Sequence, residues 1–305
     1  MRERLRFTPL ETETLARGAP VVREIPGDDP NEVVLLAAIR VTGNPAAFVA
    51  GYENVESLVD GQNYLAAQRL HDPPSLQDLA ALRLDPKDLD QIRHCRPGDC
   101  EFQLTASAMR QLQSADSPEA AAAIARRMVL DSLVAYRHEG DRALGEYRDK
   151  SGPADVAATF RSVLSRAENL ADSFPAFYRY FLHYPSAPPT HLRDFFYWER
   201  VAFGLKPTFR VNHVVISQPP GDRAPWLIGN KQLYSSHYFQ AAIDLWLCLR
   251  EDGAHEFVLV TWKGSRQQGL TGPKGRLLRS VAVKRSREAL QTGLLAIKVK
   301  LERER

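Results

Sequence analysis

The chain has 305 residues, of which 44% are hydrophobic and 25% are charged, and its formal net charge is +3. These values are typical of a globular protein and exclude a disordered or fibrous chain. A single large domain, residues 1–305, is the expectation at this length. No apolar run approaches the roughly 20 residues of a transmembrane helix. The sequence also lacks a basic stripe with interleaved aromatic residues, so no nucleic-acid partner is expected.

The N-terminal segment, MRERLRFTPLETET, carries basic residues but no apolar stretch. A signal peptide contains such a stretch, so none is visible and the chain as given is expected to be cytoplasmic. If a signal peptide has been removed, a periplasmic or secreted protein is expected instead.

The first structured part of the chain is predicted to be a strand, a helix and a second strand. The β-branched run at 32–41 predicts the first strand. Asn44 is placed to cap a helix whose first residue is Pro45, and apolar residues recur at helical spacing as far as Val59. Residues 63–70 then predict the second strand.

A long helical stretch follows these elements. Residues 71–190 contain helical patterns separated by prolines, and Ser117 with Pro118 is a typical helix start. Apolar residues after that start recur at near-helical spacing: Ile124, Met128, Leu133 and Tyr136. No Gly/Ser-rich linker flanks the stretch, so we interpret 71–190 as a helical insertion packed on a sheet.

Five long antiparallel strands are predicted between Phe195 and Trp262. The segments are rich in β-branched and aromatic residues and are bounded by Pro, Gly or Asp: FFYWERVAFG, TFRVNHVVISQ, WLIGNKQLYSS, YFQAAIDLWLCLR and EFVLVTWKGSR. The second segment nearly alternates between the two faces of a sheet: Phe209, Val211, His213 and Val215 on one face, and Arg210, Asn212 and Val214 on the other.

A long C-terminal helix is predicted from about Lys274 to Arg303, after the turn-forming segment GLTGPKGR. Four apolar residues share one face of it: Leu290, Leu294, Ile297 and Leu301. We expect this face to pack across a twisted sheet of about seven strands, which gives an α+β fold. Gly293 lowers helix propensity, and it is expected to mark a close approach of the helix to the sheet.

The positive charge of the chain is concentrated at its end. From Lys263 onwards there are twelve Lys and Arg residues against three Glu residues, a net charge of +9, which leaves −6 for the rest. Such a segment is typical of the solvated face of an amphipathic helix. The alternative is that the segment docks on an anionic membrane surface.

Cys95 and Cys100 flank the sequence Arg-Pro-Gly-Asp, which is a strong turn signal. A disulfide between them fits a tight loop and would indicate an exported protein. Reduced cysteines at a structural turn are the alternative. Zinc binding is not expected because the spacing is not C-x-x-C and no second Cys/His pair follows. Cys248 is interpreted as a small buried hydrophobic residue.

The order of elements resembles the helix-grip fold of START lipid-transfer domains, polyketide cyclases and birch-pollen-allergen-like proteins. The resemblance covers residues 31–70 and 195–304. The phrases YWERVAFGLKP, KQLYSSHYF and GSRQQGLTGPKGRLLR are also similar to those of a group of uncharacterised bacterial proteins that carry a CRPGDC segment. The resemblance implies a cavity between the sheet and the C-terminal helix, whose size and mouth the helical insertion would modify.

Ligand sites in such cavities are mostly apolar with a few polar anchors. The candidate lining residues are aromatic or aliphatic and lie on the predicted strands: Trp198, Phe209, Leu233, Tyr234, Trp246, Phe257 and Trp262. Each of them also fits an ordinary hydrophobic core. His213 and His237 are the candidate polar anchors, or acid–base groups if the protein is an enzyme.

Motifs for nucleotide, metal and hydrolase chemistry are absent from the sequence, so no cofactor, metal or catalytic residue is assigned. The function expected first is binding or transport of an apolar molecule such as a lipid, fatty acid or sterol. The alternative is a cyclase- or hydrolase-type enzyme with a histidine base. A third alternative is an interaction protein whose cavity the insertion closes. Neither histidine has an acidic neighbour in the chain, which favours the carrier over the enzyme.

Overall fold

The computed structural model describes residues 7–60, 63–167, 170–202, 206–218, 220–221, 224–250 and 255–303. Its strands are, in chain order, β1 (Val21–Glu24), β2 (Glu32–Thr42), β3 (Tyr64–Arg69), β4 (Glu146–Tyr147), β5 (Ala154–Asp155), β6 (Leu192–Val201), β7 (Thr208–Ser217), β8 (Trp226–Ser235), β9 (Phe239–Arg250) and β10 (Glu256–Gln267). Eight of them form one antiparallel sheet in the order β1-β2-β10-β9-β8-β7-β6-β3, and β4 pairs with β5 separately.

The α-helices are α1 (Pro9–Ala16), α2 (Pro45–Glu53), α3 (Pro86–Ile92), α4 (Ala106–Gln113), α5 (Pro118–Glu139), α6 (Val156–Ser165), α7 (Leu170–Ser173), α8 (Pro175–Leu182) and α9 (Gly272–Arg303). Short 3₁₀ helices occupy Val55–Asp60, Leu76–Leu79 and Gly140–Ala143. Polar caps begin several helices: the Asn44 side chain accepts a hydrogen bond from the Ala46 amide, and the Ser117 hydroxyl accepts one from the Ala120 amide. Among the described residues, no helix has the length and apolar composition needed to cross a membrane.

The expected α+β class, with a large antiparallel sheet and a long C-terminal helix, is confirmed. The sheet has eight strands rather than about seven, because β1 adds an edge strand next to β2. This strand is only four residues long, VVRE, so the sequence carries too short a pattern to predict it. The helix-grip arrangement itself stays a prediction.

Different parts of the chain cover the two faces of the sheet. On one face, here called the α9 face, Leu294 and Leu301 of α9 share a core with Ile39 of β2 and with Phe48 of α2. On the other, here called the insertion face, helices α5, α6 and α8 pack against β6–β10 and β2. The segment 71–190 therefore covers its own side of the sheet instead of lying under the C-terminal helix.

Helix α9 covers only part of its face. It packs mainly on β1, β2 and α2, near one edge of the sheet. The predicted apolar stripe is present, with Leu294 and Leu301 buried and Leu290 and Ile297 half-buried. Gly293 does not approach the sheet as expected: it is exposed, and a Cβ atom at this position would meet no atom within 4 Å. Gly275 is the glycine of α9 that packs closely against the backbone, because a Cβ atom there would lie 2.5 Å from the carbonyl carbon of Leu270 in the preceding loop.

Replacing Gly293 with Ala should therefore stabilise the protein by about 1 kcal/mol, since Ala has the higher helix propensity and nothing opposes its methyl group. Gly275→Ala is the matched control in the same helix, and it should destabilise the protein because the added methyl collides with backbone atoms. Urea denaturation followed by circular dichroism measures both changes. Equal effects of the two substitutions would contradict this account of α9.

Candidate functional site

An apolar pocket lies on the insertion face, between helices α3, α4 and α5 and strands β6–β8; we call it the insertion pocket. Its cavity volume is about 170 Å³. Its helical walls include Ile92, Ala108, Leu112, Met128 and Leu133, Leu84 lines it from the loop before α3, and its sheet wall includes Phe209, Val211, Leu233 and Tyr234. Most of the lining is aliphatic or aromatic, which is the composition of a small-molecule site.

Strand alternation and one bulge build the sheet wall. Phe209 and Val211 lie two residues apart on β7, so both point to the insertion face. On β8 the pairing shifts register, because Val211 pairs with Tyr234 whereas Asn212 pairs with Gln232. Leu233 is the extra residue in this bulge, and as a result Leu233 and Tyr234 both line the pocket.

Helical spacing builds the opposite wall. Residues 125, 128, 129, 132, 133 and 136 of α5 line the pocket, and they recur three and four positions apart. This spacing keeps them on one face of the helix. The sequence predicted this helix and its apolar face correctly, but not that the face would leave a space above β7.

The pocket has a polar end where β6 finishes and β7 begins. Arg200 pairs across the strands with Phe209, and the Phe209 amide donates to the Ser236 hydroxyl over 3.0 Å. Arg200, Phe209 and Ser236 therefore line the same end of the pocket. Asp88 of α3 also lines it, and burial raises the pKa of this carboxyl against the opposing effects of Lys206 and Arg200.

His237 lies behind this polar end. Its Nδ1 atom is 2.9 Å from the Ser236 hydroxyl, and its ring packs against Phe102 with ring centroids 4.5 Å apart. Nε2 is buried and has no hydrogen-bond partner among the residues described. Burial, followed by the nearby charge of Lys206, lowers the pKa of His237 to about 4, so the imidazole is neutral at pH 7.

A buried chain of hydrogen bonds borders the pocket at Tyr136. The Tyr136 hydroxyl lies 3.2 Å from Nδ1 of His213, and Nε2 of His213 lies 2.9 Å from Asp194. The Tyr180 hydroxyl donates to the other carboxylate oxygen of Asp194 over 3.0 Å. Tyr136 itself lines the pocket. We call Tyr136, His213 and Asp194 the relay.

The ionisation states in the relay follow from burial and hydrogen bonding. Burial lowers the pKa of His213, although the bond to Asp194 opposes this, so the imidazole is neutral at pH 7. Burial alone would raise the pKa of Asp194, but the interaction with His213, the hydrogen bond from Tyr180 and the charge of Arg137 together outweigh it, and the pKa is lowered. A neutral His213 that donates to an ionised Asp194 presents Nδ1 as the acceptor for the Tyr136 hydroxyl.

Asp194 is the acidic partner of His213, and the sequence alone did not indicate it. The two residues are 19 positions apart on neighbouring strands. Phe196 pairs with His213 and Asp194 pairs with Val215, so Asp194 is the diagonal neighbour of His213 on the same face. A register for β6 and β7 would have predicted this contact, but the sequence predicts the strands without their register.

The predicted ligand-lining residues divide between the two faces. Phe209, Leu233 and Tyr234 line the insertion pocket. Trp198 is buried beside them, and its Nε1 donates to the Asp78 carbonyl over 2.8 Å. His213 and His237 lie behind the pocket wall.

Three other candidates do not belong to this pocket. Trp246 packs against Phe48 on the α9 face. Phe257 lies in the same core as Trp246. Trp262 is on the insertion face but in the core formed with α6 and α8. The cavity expected between the sheet and the C-terminal helix stays a prediction. The insertion pocket lies on the opposite face of the sheet, where the helical segment covers β6–β8, whereas α9 covers the β1–β2 edge.

The groove beside α9 is polar rather than apolar. Glu24, Ser280 and Glu288 line it together with basic side chains of the helix. Intramolecular ion pairs compensate part of the positive charge near the C-terminus: Lys263 with Asp244, Arg266 with Asp29, Arg279 with Glu24 and Lys298 with Glu302. These pairs fit the interpretation of a solvated helix face, and docking on a membrane stays a prediction.

Cys95 and Cys100 form a disulfide with their Cα atoms 4.7 Å apart. The loop lies against the pocket, since Ile92 precedes it and Phe102 follows it, and both residues line the cavity. Cys248 is buried, and burial raises the pKa of its thiol. Within the described ranges, no group of three or more His, Cys, Asp or Glu side chains is arranged to hold a metal ion.

Comparisons with known proteins do not assign the insertion pocket. No protein-family model matches the chain, and no curated protein matches its sequence. The resemblance to the helix-grip superfamily and to the bacterial CRPGDC proteins therefore stays a prediction. The geometry of the pocket is the basis for the function proposed below.

The low pKa of His237 predicts a loss of stability in mild acid. The folded state binds the proton less tightly than the unfolded chain, whose His pKa is about 6.5, so stability present above pH 6.5 falls as the pH drops towards 4. The loss from His237 amounts to roughly 3 kcal/mol. His213 shifts the stability in the same direction.

Urea unfolding at pH 7.5, 5.5 and 4.5 measures this effect. His237→Phe keeps a ring against Phe102 but does not titrate, so its stability should fall less with acid than that of the wild type. The control His183→Gln changes an exposed histidine and should follow the wild type. Identical pH profiles for the wild type and His237→Phe would show that His237 is not a buried neutral histidine.

Proposed function

We propose that the protein binds an apolar small molecule in the insertion pocket. The observation that carries this proposal is a cavity of about 170 Å³ with mainly aliphatic and aromatic walls and a polar end at Arg200 and Ser236. An apolar ligand is stabilised when it leaves water for apolar walls, and a few polar groups in the pocket orient the ligand. This supports the binding function expected from the sequence, at a different place in the fold.

The volume favours a small ligand. A protein cavity of roughly 150 Å³ binds benzene. A cavity of about 170 Å³ thus suits a molecule of roughly six to ten carbon atoms better than a sterol or a long-chain lipid. At roughly 0.5 kcal/mol per non-hydrogen atom, nine atoms give about 5 kcal/mol, or a Kd on the order of 0.1–1 mM.

Isothermal titration calorimetry with 1-octanol tests the proposal. The wild type should bind this alcohol, and Ala125→Phe should weaken binding at least about tenfold because the new ring fills the space beside α5. Ala123→Phe is the matched control on the same helix, since Ala123 is exposed and does not line the pocket. It should bind like the wild type.

Native mass spectrometry after organic extraction provides an independent readout, because a co-purified ligand would shift the mass and be identified directly. Failure of the wild type to bind 1-octanol, with nothing co-purified, would eliminate the binding function. Equal binding by Ala125→Phe and the wild type would place the ligand elsewhere on the molecule.

A second candidate function is enzymatic, and the relay is the observation that favours it. Burial raises the pKa of Tyr136, so its hydroxyl would pass a proton to neutral His213 only as it takes one from a ligand, and ionised Asp194 would stabilise the imidazolium that forms. Since Tyr136 lines the pocket, the relay gives a route for proton removal next to a bound ligand. This arrangement supplies the acidic partner that the sequence did not show for His213.

Release of p-nitrophenol from p-nitrophenyl butyrate at pH 7.5 tests the enzymatic candidate. Asp194→Asn should lower the rate by roughly 10⁴-fold, as loss of the carboxylate that orients a catalytic histidine does. His183→Gln serves as the control because this histidine is exposed and outside the relay. No turnover by the wild type, or equal turnover by Asp194→Asn, would remove this candidate.

A further inference from the structure

We propose that the ligand of the insertion pocket is a small apolar carboxylic acid whose carboxylate is bound by Arg200. This inference rests on the proposed binding function and adds the chemical class of the ligand. It assigns a ligand-binding role to Arg200, which the sequence analysis did not single out as a pocket residue.

The position of Arg200 supports this role. The residue lies near the end of β6 and is half-buried, and its side chain lines the pocket. Its cross-strand partner Phe209 and the next residue in that row, Ser236, line the pocket as well. Arg200 therefore places a positive charge beside an otherwise apolar wall.

The charge of Arg200 acts on the Asp88 carboxyl, but no group pairs with Arg200 in the part of the chain that the structure describes. Its guanidinium has no ion pair and no hydrogen bond to a described residue, in contrast to neighbouring arginines on the sheet. Arg210 pairs with Glu199, and Arg193 pairs with Glu53 over 2.8 Å. Leaving a partly buried guanidinium unpaired costs free energy, which an anionic ligand group would recover.

The chemistry of the guanidinium favours a carboxylate. Its planar fork of N–H donors matches the two oxygens of a carboxylate, and this geometry gives strong paired hydrogen bonds. Most of the remaining cavity wall is apolar and suits a short hydrocarbon or aromatic body of roughly six to ten carbons. A medium-chain fatty acid or a substituted benzoic acid has both features.

Asp88 is the opposing group at this end. It lines the pocket, as does Asp85, and its pKa responds to Lys206, Asp85 and Arg200, but it does not form an ion pair with Arg200. Its negative charge would repel a ligand carboxylate. Removing that charge should therefore strengthen the binding of an acid relative to that of an alcohol, which is the opposite of the change expected on loss of Arg200.

Calorimetric titration of octanoate and 1-octanol at pH 7.5 tests the inference, because the two probes share a chain and differ in the head group. The wild type should bind octanoate at least about tenfold more tightly than 1-octanol. Arg200→Gln should remove this preference, so that octanoate binds no more tightly than 1-octanol. Asp88→Asn should increase the preference, and Arg83→Gln, an exposed arginine between two pocket leucines, should preserve it.

The outcomes separate the inference from the proposed function. If the wild type binds 1-octanol but binds octanoate no more tightly, the role of Arg200 is refuted and the apolar site remains. If neither probe binds, both proposals fail. Arg200→Lys keeps the charge without the planar fork, so it should retain an intermediate preference; a preference equal to that of Arg200→Gln would argue against recognition by charge. The wild-type comparison decides the question even if a variant does not fold.

Discussion

The alternation of side chains along β7 is the constraint on which the rest of the structure depends. Phe209, Val211 and His213 face the helical segment, whereas Arg210 and Asn212 face the other side. A slip of one residue would exchange these two sets and place a guanidinium and an amide in the apolar pocket. Because each face is covered by different elements, only one register satisfies both sides.

Buried polar contacts fix the helical segment on the sheet. Tyr136 of α5 reaches His213 on β7, and Asp141 after α5 lies 2.9 Å from Lys231 on β8. The Lys231 ammonium also lies over the ring of Phe181 at 5.3 Å. An apolar interface alone tolerates small shifts, whereas each buried polar group loses its hydrogen bond when the partner moves. These contacts therefore select one position for the wall of the pocket.

Local patterns in the sequence predicted the individual helices and strands but not how they are arranged. The β-branched and aromatic runs predicted the long strands, and Asn44 and Ser117 predicted helix starts, because these signals act within a few residues. The contact between Asp194 and His213 depends on strand register, which a single sequence does not encode locally. The face that holds the pocket depends on how 71–190 packs, which is set by contacts between distant residues.

The existence of the pocket follows from the size of the side chains around it. Small residues from three separate helical elements line it: Ala108 of α4, Ala125 of α5 and Ala143 of the 3₁₀ helix after α5. Protein interiors are normally close-packed. Here the alanine side chains are too short to fill the space between the helices and the bulged strand, and the larger neighbouring side chains do not fill it either. Leu233, the extra residue of the bulge, lines the space beside these alanines, and the half-buried Arg200 gives the space a charged end.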